Sequence, residues 1–239
     1  MNRILFEKDE IEDGVATCGG ERAAHILGVL HGEVGQQLKT GEVDGRIGTG
    51  EIVEIARGEG PVVRVKVCHD QKSISPWIDL VLAPPRPRVM KRLLPQLAAM
   101  GVGRIVLVGA KKVEKDFWGA TLLKEENYRP LLIDGLMQAG TSILPTLETR
   151  RNFRRFVEAE LDALFPTARR IVAHPYGAEG AKGAEGAAGR PLLAIGPEGG
   201  WTDDEVSLLE SKGFARYSLG PRILRTDTAT VALLARLQL

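Results

Sequence analysis

Two matching turns constrain the fold of this chain more than any other feature of its sequence. The apolar run 192–195 predicts a short buried strand, which is followed by GPEGG at positions 196–200 and then by a helix start. A second strand pattern ends at Leu219 and leads into GP at positions 220–221, 24 residues after the first Gly-Pro pair. Strands joined by a helix usually lie parallel and often adjacent, so both turns are expected at the same carboxyl edge of a sheet. A third strand pattern ends at His174-Pro175, which is close in sequence.

The residues from 77 onward predict an α/β domain built around this edge. Strand patterns alternate with helix patterns, which favours a mostly parallel sheet covered by helices. Pro95 lies inside the first helix pattern and is expected to kink or break it. The Gly/Ala-rich segment 176–191 predicts a loop. The strand patterns cover 77–85, 104–111, 169–175, 191–197 and 215–221, and the helix patterns cover 88–100, 119–139, 152–165, 203–212 and the chain from about 227.

The N-terminal third predicts a small β-rich domain, residues 1–72. Asp44-Gly45 lies between two strand patterns and is a strong hairpin signal. The run VVRVKV at 62–67 alternates valines with Arg64 and Lys66, as in a strand with one buried face. Short strands with glycine turns favour a small barrel, and the polar stretch 69–76 is the expected boundary. One helix precedes these strands, with an apolar stripe of Ala23, Ile26, Leu27 and Leu30.

Composition restricts the class of protein. Apolar residues make up 44% and charged residues 26% of the 239 positions, as in ordinary globular proteins. No signal sequence or membrane-length apolar run is visible. Cys18 and Cys68 are far apart, and the histidines of the N-terminal third lack metal-ligand spacing. A cytoplasmic protein with no membrane association and no structural metal is therefore expected.

Charge is distributed unevenly along the chain, although the formal net charge is only +1. Residues 1–77 carry nine Lys/Arg against thirteen Asp/Glu, whereas residues 86–155 carry fourteen against six. Such a basic tract can form a surface for a polyanion, because neutralising phosphates drives nucleic-acid affinity. It can equally be a set of solvated helix faces, and charge alone does not separate the two.

The first glycine turn does not match a phosphate-binding loop. Its spacing is G-x-x-G-G, which fits neither nucleotide fingerprint. Thr202 and Glu205 predict a capping box for the next helix, and Asp203 and Asp204 add negative charge to the same helix end. A phosphate would be repelled there. Glycines still allow a ligand to approach the backbone, so the turns predict a neutral cleft that suits an adenine-like edge without phosphates.

At these residues the sequence resembles a known family. The segments IGPEGGWTDDE (195–205) and LGPRILRTDTA (219–229) resemble the C-terminal signature of the RsmE-type methyltransferases of the SPOUT superfamily. The resemblance implies methylation of N3 of a uridine in small-subunit (16S) ribosomal RNA. It further implies an α/β methyltransferase domain with a deep trefoil knot at 77–239, a PUA-like β-barrel at 1–72 that contacts RNA, and a homodimer.

The resemblance also implies the cofactor and its site. The cofactor would be S-adenosylmethionine (SAM), held largely by backbone groups of the turns. The positions that match the family's cofactor site are His174, Pro175, Ile195, Gly196, Glu198, Gly199, Gly200, Leu219, Gly220, Ile223, Leu224 and Arg225.

Methylation at N3 of uridine requires a base for the N3 proton and donors toward the developing charge. Asp227 is the candidate base because it follows the second turn directly, and Arg225 and Arg222 are the candidate donors. Asp227 also fits a plain role at the N-terminus of the last helix. Two alternatives remain open: a knotted methyltransferase that acts on another RNA nucleotide, and a non-catalytic RNA-binding protein with the same fold.

Overall fold

The chain folds into two compact units. The computed structural model describes residues 2–58, 60–176 and 189–238. The first unit comprises residues 1–75 together with 133–144, and the second comprises 76–132 together with 145–239. The loop predicted at 176–191 falls largely outside the described residues.

The first unit is built on a six-stranded, mostly antiparallel sheet. Its order is β1-β4-β5-β6-β3-β2, and only β1 and β4 pair in parallel. The described part of this sheet is an open half-barrel with β1 and β2 at its two edges, rather than a closed barrel. The elements are β1 Ile4–Phe6, β2 Ile11–Glu12, β3 Val15–Cys18, α1 Gly20–Gly28, β4 Gln37–Glu42, β5 Ile47–Ala56 and β6 Val62–Gln71.

Local sequence patterns explain this sheet well. The predicted hairpin joins β4 to β5, and Asp44 takes the left-handed conformation (φ 58°) that such turns require. Val63 and Val65 are buried on β6, whereas Arg64 is exposed. Ala23 and Ile26 of α1 are buried against the same core. The hairpin, the alternation and the helix stripe are confirmed.

Residues 140–144 are attached to the first unit by hydrogen bonds that span long sequence distances. The Nε of Arg3 donates to the carbonyl of Gly140 at 3.0 Å. Ser142 is fully buried, and its hydroxyl donates to the Gly45 carbonyl at 2.7 Å. The amide of Leu144 donates to Oδ1 of Asp44 at 2.7 Å. The β4–β5 turn therefore holds this segment through its carbonyl and side-chain oxygens.

The second unit contains a six-stranded sheet in which every pair is parallel. Its order is β12-β10-β11-β7-β8-β9. None of the helices, over the described residues, is long and apolar enough to cross a membrane. The strands are β7 Ile78–Leu82, β8 Val102–Val108, β9 Thr146–Arg150, β10 Arg170–Ala173, β11 Leu192–Ile195 and β12 Ala215–Tyr217. The helices of this unit are α2 Pro87–Ala99, the first part of α3 Glu125–Ala139, α4 Phe153–Arg155, α5 Leu161–Leu164, α6 Asp203–Ser211 and α7 Thr226–Gln238, with a π-helical stretch Phe156–Glu160 joining α4 to α5. Residues 133–139 of α3 belong to the first unit.

The central strands of a parallel sheet covered on both faces are apolar, and β7, β8 and β11 are mainly buried here, whereas the edge strands β9 and β12 are at most partly buried. All five residues of β7 are buried. One core contains Val81 and Val172 of the sheet together with Phe156 and Val206 from the helices. On α2, Met90, Leu93, Leu94 and Leu97 are buried, and α2 packs against β8 and α7. The prediction of a mixed α/β fold with a parallel sheet is confirmed.

Three expectations for this unit were wrong in detail. The strands that end in the two Gly-Pro turns are parallel but not adjacent, because β10 lies between β11 and β12. Pro95 does not break helix α2, which continues to Ala99. Strand β9 had not been predicted, and α3 begins at Glu125, after short 3₁₀ turns, rather than near residue 119.

The first-unit core predicts that the two cysteines differ in reactivity. Burial raises the pKa of the Cys18 thiol to about 11, and Cys18 is only 2% exposed, whereas Cys68 is exposed. Because the thiolate is the reactive form, we expect the folded protein to release about one equivalent of thionitrobenzoate from Ellman's reagent at pH 8, and about two after unfolding. Cys68→Ser should abolish the fast reaction of the folded protein. Two equally fast thiols would contradict this packing.

Candidate functional site

The carboxyl ends of β10, β11 and β12 open into one cleft, which we call the turn cleft. Its volume is about 480 Å³. The cleft is lined by His174 and Pro175 after β10, by residues 196–200 after β11, and by residues 218–220 after β12. The start of α7 closes one side with Thr226, Ala229 and Leu233. All these elements belong to the second unit.

Polar contacts fix the first turn on both sides. Oε1 of Glu198 accepts a hydrogen bond from the backbone amide of Arg86 at 3.0 Å, which links the turn to the N-terminus of α2. The ammonium group of Lys112 donates to the carbonyl of Gly199 at 2.7 Å. The Glu198 carboxylate and the Lys112 ammonium group therefore both orient this turn. Arg86 in turn hydrogen-bonds Glu114, which raises the pKa of the Arg86 guanidinium.

The first turn also packs closely on Trp201. A methyl group added at Gly196 would lie 3.0 Å from the Trp201 amide nitrogen and 3.2 Å from its ring atom Cδ1. Trp201 is buried, and its ring lies 5.2 Å from that of Phe153. A side chain at Gly196 would therefore force the first turn or Trp201 to shift by a few tenths of an ångström.

The second turn is held against β10. The amide of His174 donates to the carbonyl of Tyr217 at 3.0 Å. The hydroxyl of Ser218 lies 3.2 Å from the carbonyl of Pro175 and accepts from the amide of Gly220 at 3.1 Å. Gly220 has φ 114°, a conformation that residues with a side chain rarely adopt. Ser218 thus connects the ends of two neighbouring strands.

The capping box at the start of α6 is confirmed. Thr202 Oγ1 accepts from the Glu205 amide at 3.4 Å, and Oε2 of Glu205 accepts from the Thr202 amide at 2.8 Å. Oε1 of Glu205 accepts from the Lys111 amide at 2.7 Å. The positive end of this helix is therefore already satisfied by protein groups, which supports the rejection of a phosphate at this position.

The turn cleft is rich in backbone groups and apolar surface. Its ionisable lining side chains include two cations, Lys112 and Arg222, and two carboxylates, Glu198 and Asp203. Apolar lining comes from Ile195, Leu219 and Leu224 among others. Among the described residues, no three His, Cys, Asp or Glu side chains are grouped to hold a metal ion. Such a cleft can hold a heteroaromatic ring by backbone hydrogen bonds and apolar contact.

The structure brings most of the sequence-predicted site residues together and leaves two aside. Arg225 does not line the cleft; its side chain is exposed, and its carbonyl accepts from the Ala229 amide at 2.8 Å. Asp227 does not line it either. The predicted residues that line it are His174, Pro175, Ile195, Gly196, Glu198, Gly199, Gly200, Leu219, Gly220, Arg222, Ile223 and Leu224.

Asp227 faces α2 instead of the cleft. Its Oδ2 lies 3.6 Å from Nη2 of Arg92, and its Oδ1 accepts from the Thr228 amide at 2.9 Å. The Thr228 contact is that of a carboxylate in the first turn of a helix, and the Arg92 contact is an ion pair with a neighbouring helix. Within one chain, they support the structural role that the sequence had left open for Asp227.

Sequence reasoning missed several residues that line the cleft. Lys112 follows β8, and its position beyond the carboxyl end of a parallel strand was an available signal. Thr226, Ala229 and Leu233 recur at helical spacing on α7, so they share one face. Asp203, Tyr217 and Ser218 flank the two turns.

Comparison with known proteins identifies the family. A family model for the RNA methyltransferase domain matches residues 72–238. The chain belongs to this family. The ribosomal RNA small subunit methyltransferase E of Treponema pallidum is 30% identical to it, over 98% of this chain and 90% of that protein. The resemblance to the RsmE-type family is therefore confirmed.

Solved structures agree with this assignment. A Legionella pneumophila protein described as a methyltransferase in complex with SAM matches with a TM-score of 0.78 and 26% identity, over 99% of this chain and 96% of that one. The SAM-bound ribosomal RNA small subunit methyltransferase E of Neisseria gonorrhoeae matches with a TM-score of 0.76 and 20% identity, over 100% and 97%. The second match concerns the fold alone.

Proposed function

We propose that this protein is a SAM-dependent methyltransferase of small-subunit ribosomal RNA. The observation that carries the proposal is the turn cleft, where the ends of three parallel strands present backbone groups and few charges. Relatives along nearly the whole chain bear the name of this activity, and one structural relative above 25% identity was solved with SAM.

The residues of the turn cleft fit SAM. The glycine turns would hold the adenosine and methionine parts through backbone amides and carbonyls, because four residues without side chains, Gly196, Gly199, Gly200 and Gly220, line the cleft. Glu198 and Lys112 keep the first turn in place, and Ser218 keeps the second. When bound, SAM supplies an electrophilic methyl group on a sulfonium.

We further propose that the target is N3 of a uridine in 16S ribosomal RNA. Methylation at N3 requires loss of the N3 proton and stabilisation of charge on the uracil oxygens. Arg222 lines the cleft and is exposed, so we assign it the donor role ahead of Arg225. The geometry within one chain assigns no base, since Asp227 faces Arg92.

The finer architectural assignments are also proposals. We assign the first unit, residues 1–72 with the segment around Ser142, to a PUA-like RNA-contacting domain, and residues 77–239 to a knotted SPOUT-like domain. A homodimer and a cytoplasmic location complete the assignment. The family resemblance supports the two domain assignments and the homodimer, and the composition supports the location. The half-barrel sheet and the parallel order of β12-β10-β11-β7 are compatible with the domain assignments.

Calorimetry with SAM tests the cofactor site. Gly220 lines the cleft at φ 114°, so Gly220→Ala must shift the second turn, and we expect at least about tenfold weaker SAM binding. Gly213→Ala is the matched control, because Gly213 has φ 81° but follows α6 outside the cleft lining. The control should bind within about twofold of wild type. Equal losses, or no binding by the wild type, would contradict the cofactor site.

Mass mapping of ribosomal RNA tests the target. Cells that lack the protein should lose an N3-methyluridine from 16S RNA, and the wild-type gene should restore it while Gly220→Ala restores it poorly. Loss of a different methylated nucleotide would favour the alternative target. SAM binding without any change in RNA methylation would favour the non-catalytic RNA-binding protein.

A pair of substitutions tests Asp227. We expect Asp227→Asn and Arg92→Gln to lower kcat to a similar, less than about tenfold extent, because both remove the same contact between α7 and α2. A general base contributes about 10²- to 10⁴-fold. A loss of that size in Asp227→Asn alone, with SAM affinity unchanged, would make Asp227 the base.

A further inference from the structure

A second cleft opens beside the first turn of α6, and we call it the Arg151 cleft. Its volume is about 370 Å³. It lies at the same carboxyl edge of the parallel sheet, beyond β8 and β9. The residues that give it its chemistry are Lys111, Arg151, Asn152, Arg154, Thr202 and Asp204.

The Arg151 cleft and the turn cleft share a wall. Lys111 lines the Arg151 cleft, whereas the next residue, Lys112, lines the turn cleft. In the first turn of α6, Asp204 lines the Arg151 cleft and the preceding residue, Asp203, lines the turn cleft. Thr202 also lines the Arg151 cleft. The Lys111–Lys112 loop and the first turn of α6 therefore border both clefts. A ligand larger than one nucleotide can reach both.

Two cations in the Arg151 cleft are available to a ligand. Within the part of the chain that the structure describes, neither Lys111 nor Arg151 is paired with a carboxylate, and both side chains are exposed. The guanidinium of Arg151 lies 5.8 Å from the ring centre of Trp118 and donates to the Trp118 carbonyl at 3.1 Å. Arg154, in contrast, is paired with Glu158 at 2.9 Å.

The carboxylates of the cleft differ in their effect. Glu205 is buried, and its oxygens already accept from the Thr202 amide, the Thr202 hydroxyl and the Lys111 amide. Asp204 is exposed and would repel an anion. Because the α6 terminus is capped, the cations rather than the helix end would attract a phosphate.

We propose that the Arg151 cleft is a subsite for a backbone phosphate of the RNA strand, next to the nucleotide that enters the turn cleft. This inference rests on the proposed function. A nucleotide modified in a pocket leaves the base stack while its flanking phosphates stay outside, and contacts to those phosphates set the register of the strand. Lys111 and Arg151 would neutralise the phosphate, and Asn152 would add polar contact.

The experiment measures binding and methylation of small ribosomal subunits isolated from cells that lack the protein. Lys111→Gln and Arg151→Gln should each weaken binding about three- to tenfold and reduce the slope of log affinity against log salt by about 0.7. The KM for subunits should rise while kcat stays within about twofold. Lys124→Gln is the control, since Lys124 is an exposed lysine of the same unit that lies outside both clefts.

A substitution that removes a negative charge from the Arg151 cleft, instead of a positive one, provides a second test. Asp204→Asn removes the repelling carboxylate and should tighten subunit binding about twofold or more, with SAM affinity unchanged by calorimetry. If the wild type binds SAM and methylates subunits but the Lys111, Arg151 and Asp204 variants all behave like Lys124→Gln, the subsite is overturned and the proposed function stands. If the wild type binds no SAM and methylates nothing, the proposed function itself has failed.

Discussion

The parallel pairing of β10 with both β11 and β12 is the constraint on which the site depends. β10 pairs with β11 through Arg170–Val172 and with β12 through Ile171–Ala173. Three strand ends therefore meet at one carboxyl edge, where open α/β sheets bind ligands. Because each strand is only three or four residues long, the turns that follow them form most of the wall. The cleft is consequently a backbone surface, and this explains its low charge.

The polar contacts around this edge hold the turns in position but contribute little to the free energy of folding. The Lys112 and Glu198 side chains are exposed, and exposed contacts contribute about 0 to 1 kcal/mol each. The free energy of folding comes from the buried strands and helices instead. Helix α2 illustrates this, because Pro95 costs about 3 kcal/mol in a helix interior, whereas each fully buried Leu or Met contributes about 1.5–3 kcal/mol. Its four large buried side chains outweigh the lost hydrogen bond.

The sequence predicted the features that depend on local signals, and it did not predict those that depend on tertiary packing. The hairpin at Asp44, the capping box of Thr202 and Glu205, and the two Gly-Pro turns are local signals, and the structure has all of them. The position of β10 between β11 and β12 depends on tertiary packing, and no local sequence pattern predicts it. The same is true of the hydrogen bond from Arg3 to Gly140, which joins residues 137 positions apart. Strand β9 was missed because its sequence TLETR has one apolar residue and only partial burial.

The position of Asp227 follows from helix geometry rather than from sequence distance. Thr226, Ala229 and Leu233 line the cleft, so one face of α7 points toward it. With 3.6 residues per turn, each step along the helix rotates the side chain by about 100°. Asp227 is one step from Thr226 and two from Ala229, and its carboxylate therefore points away from the cleft, toward Arg92 on α2. A residue that follows a cleft-lining turn is thus poorly placed to face that cleft in its own chain when a helix has already begun.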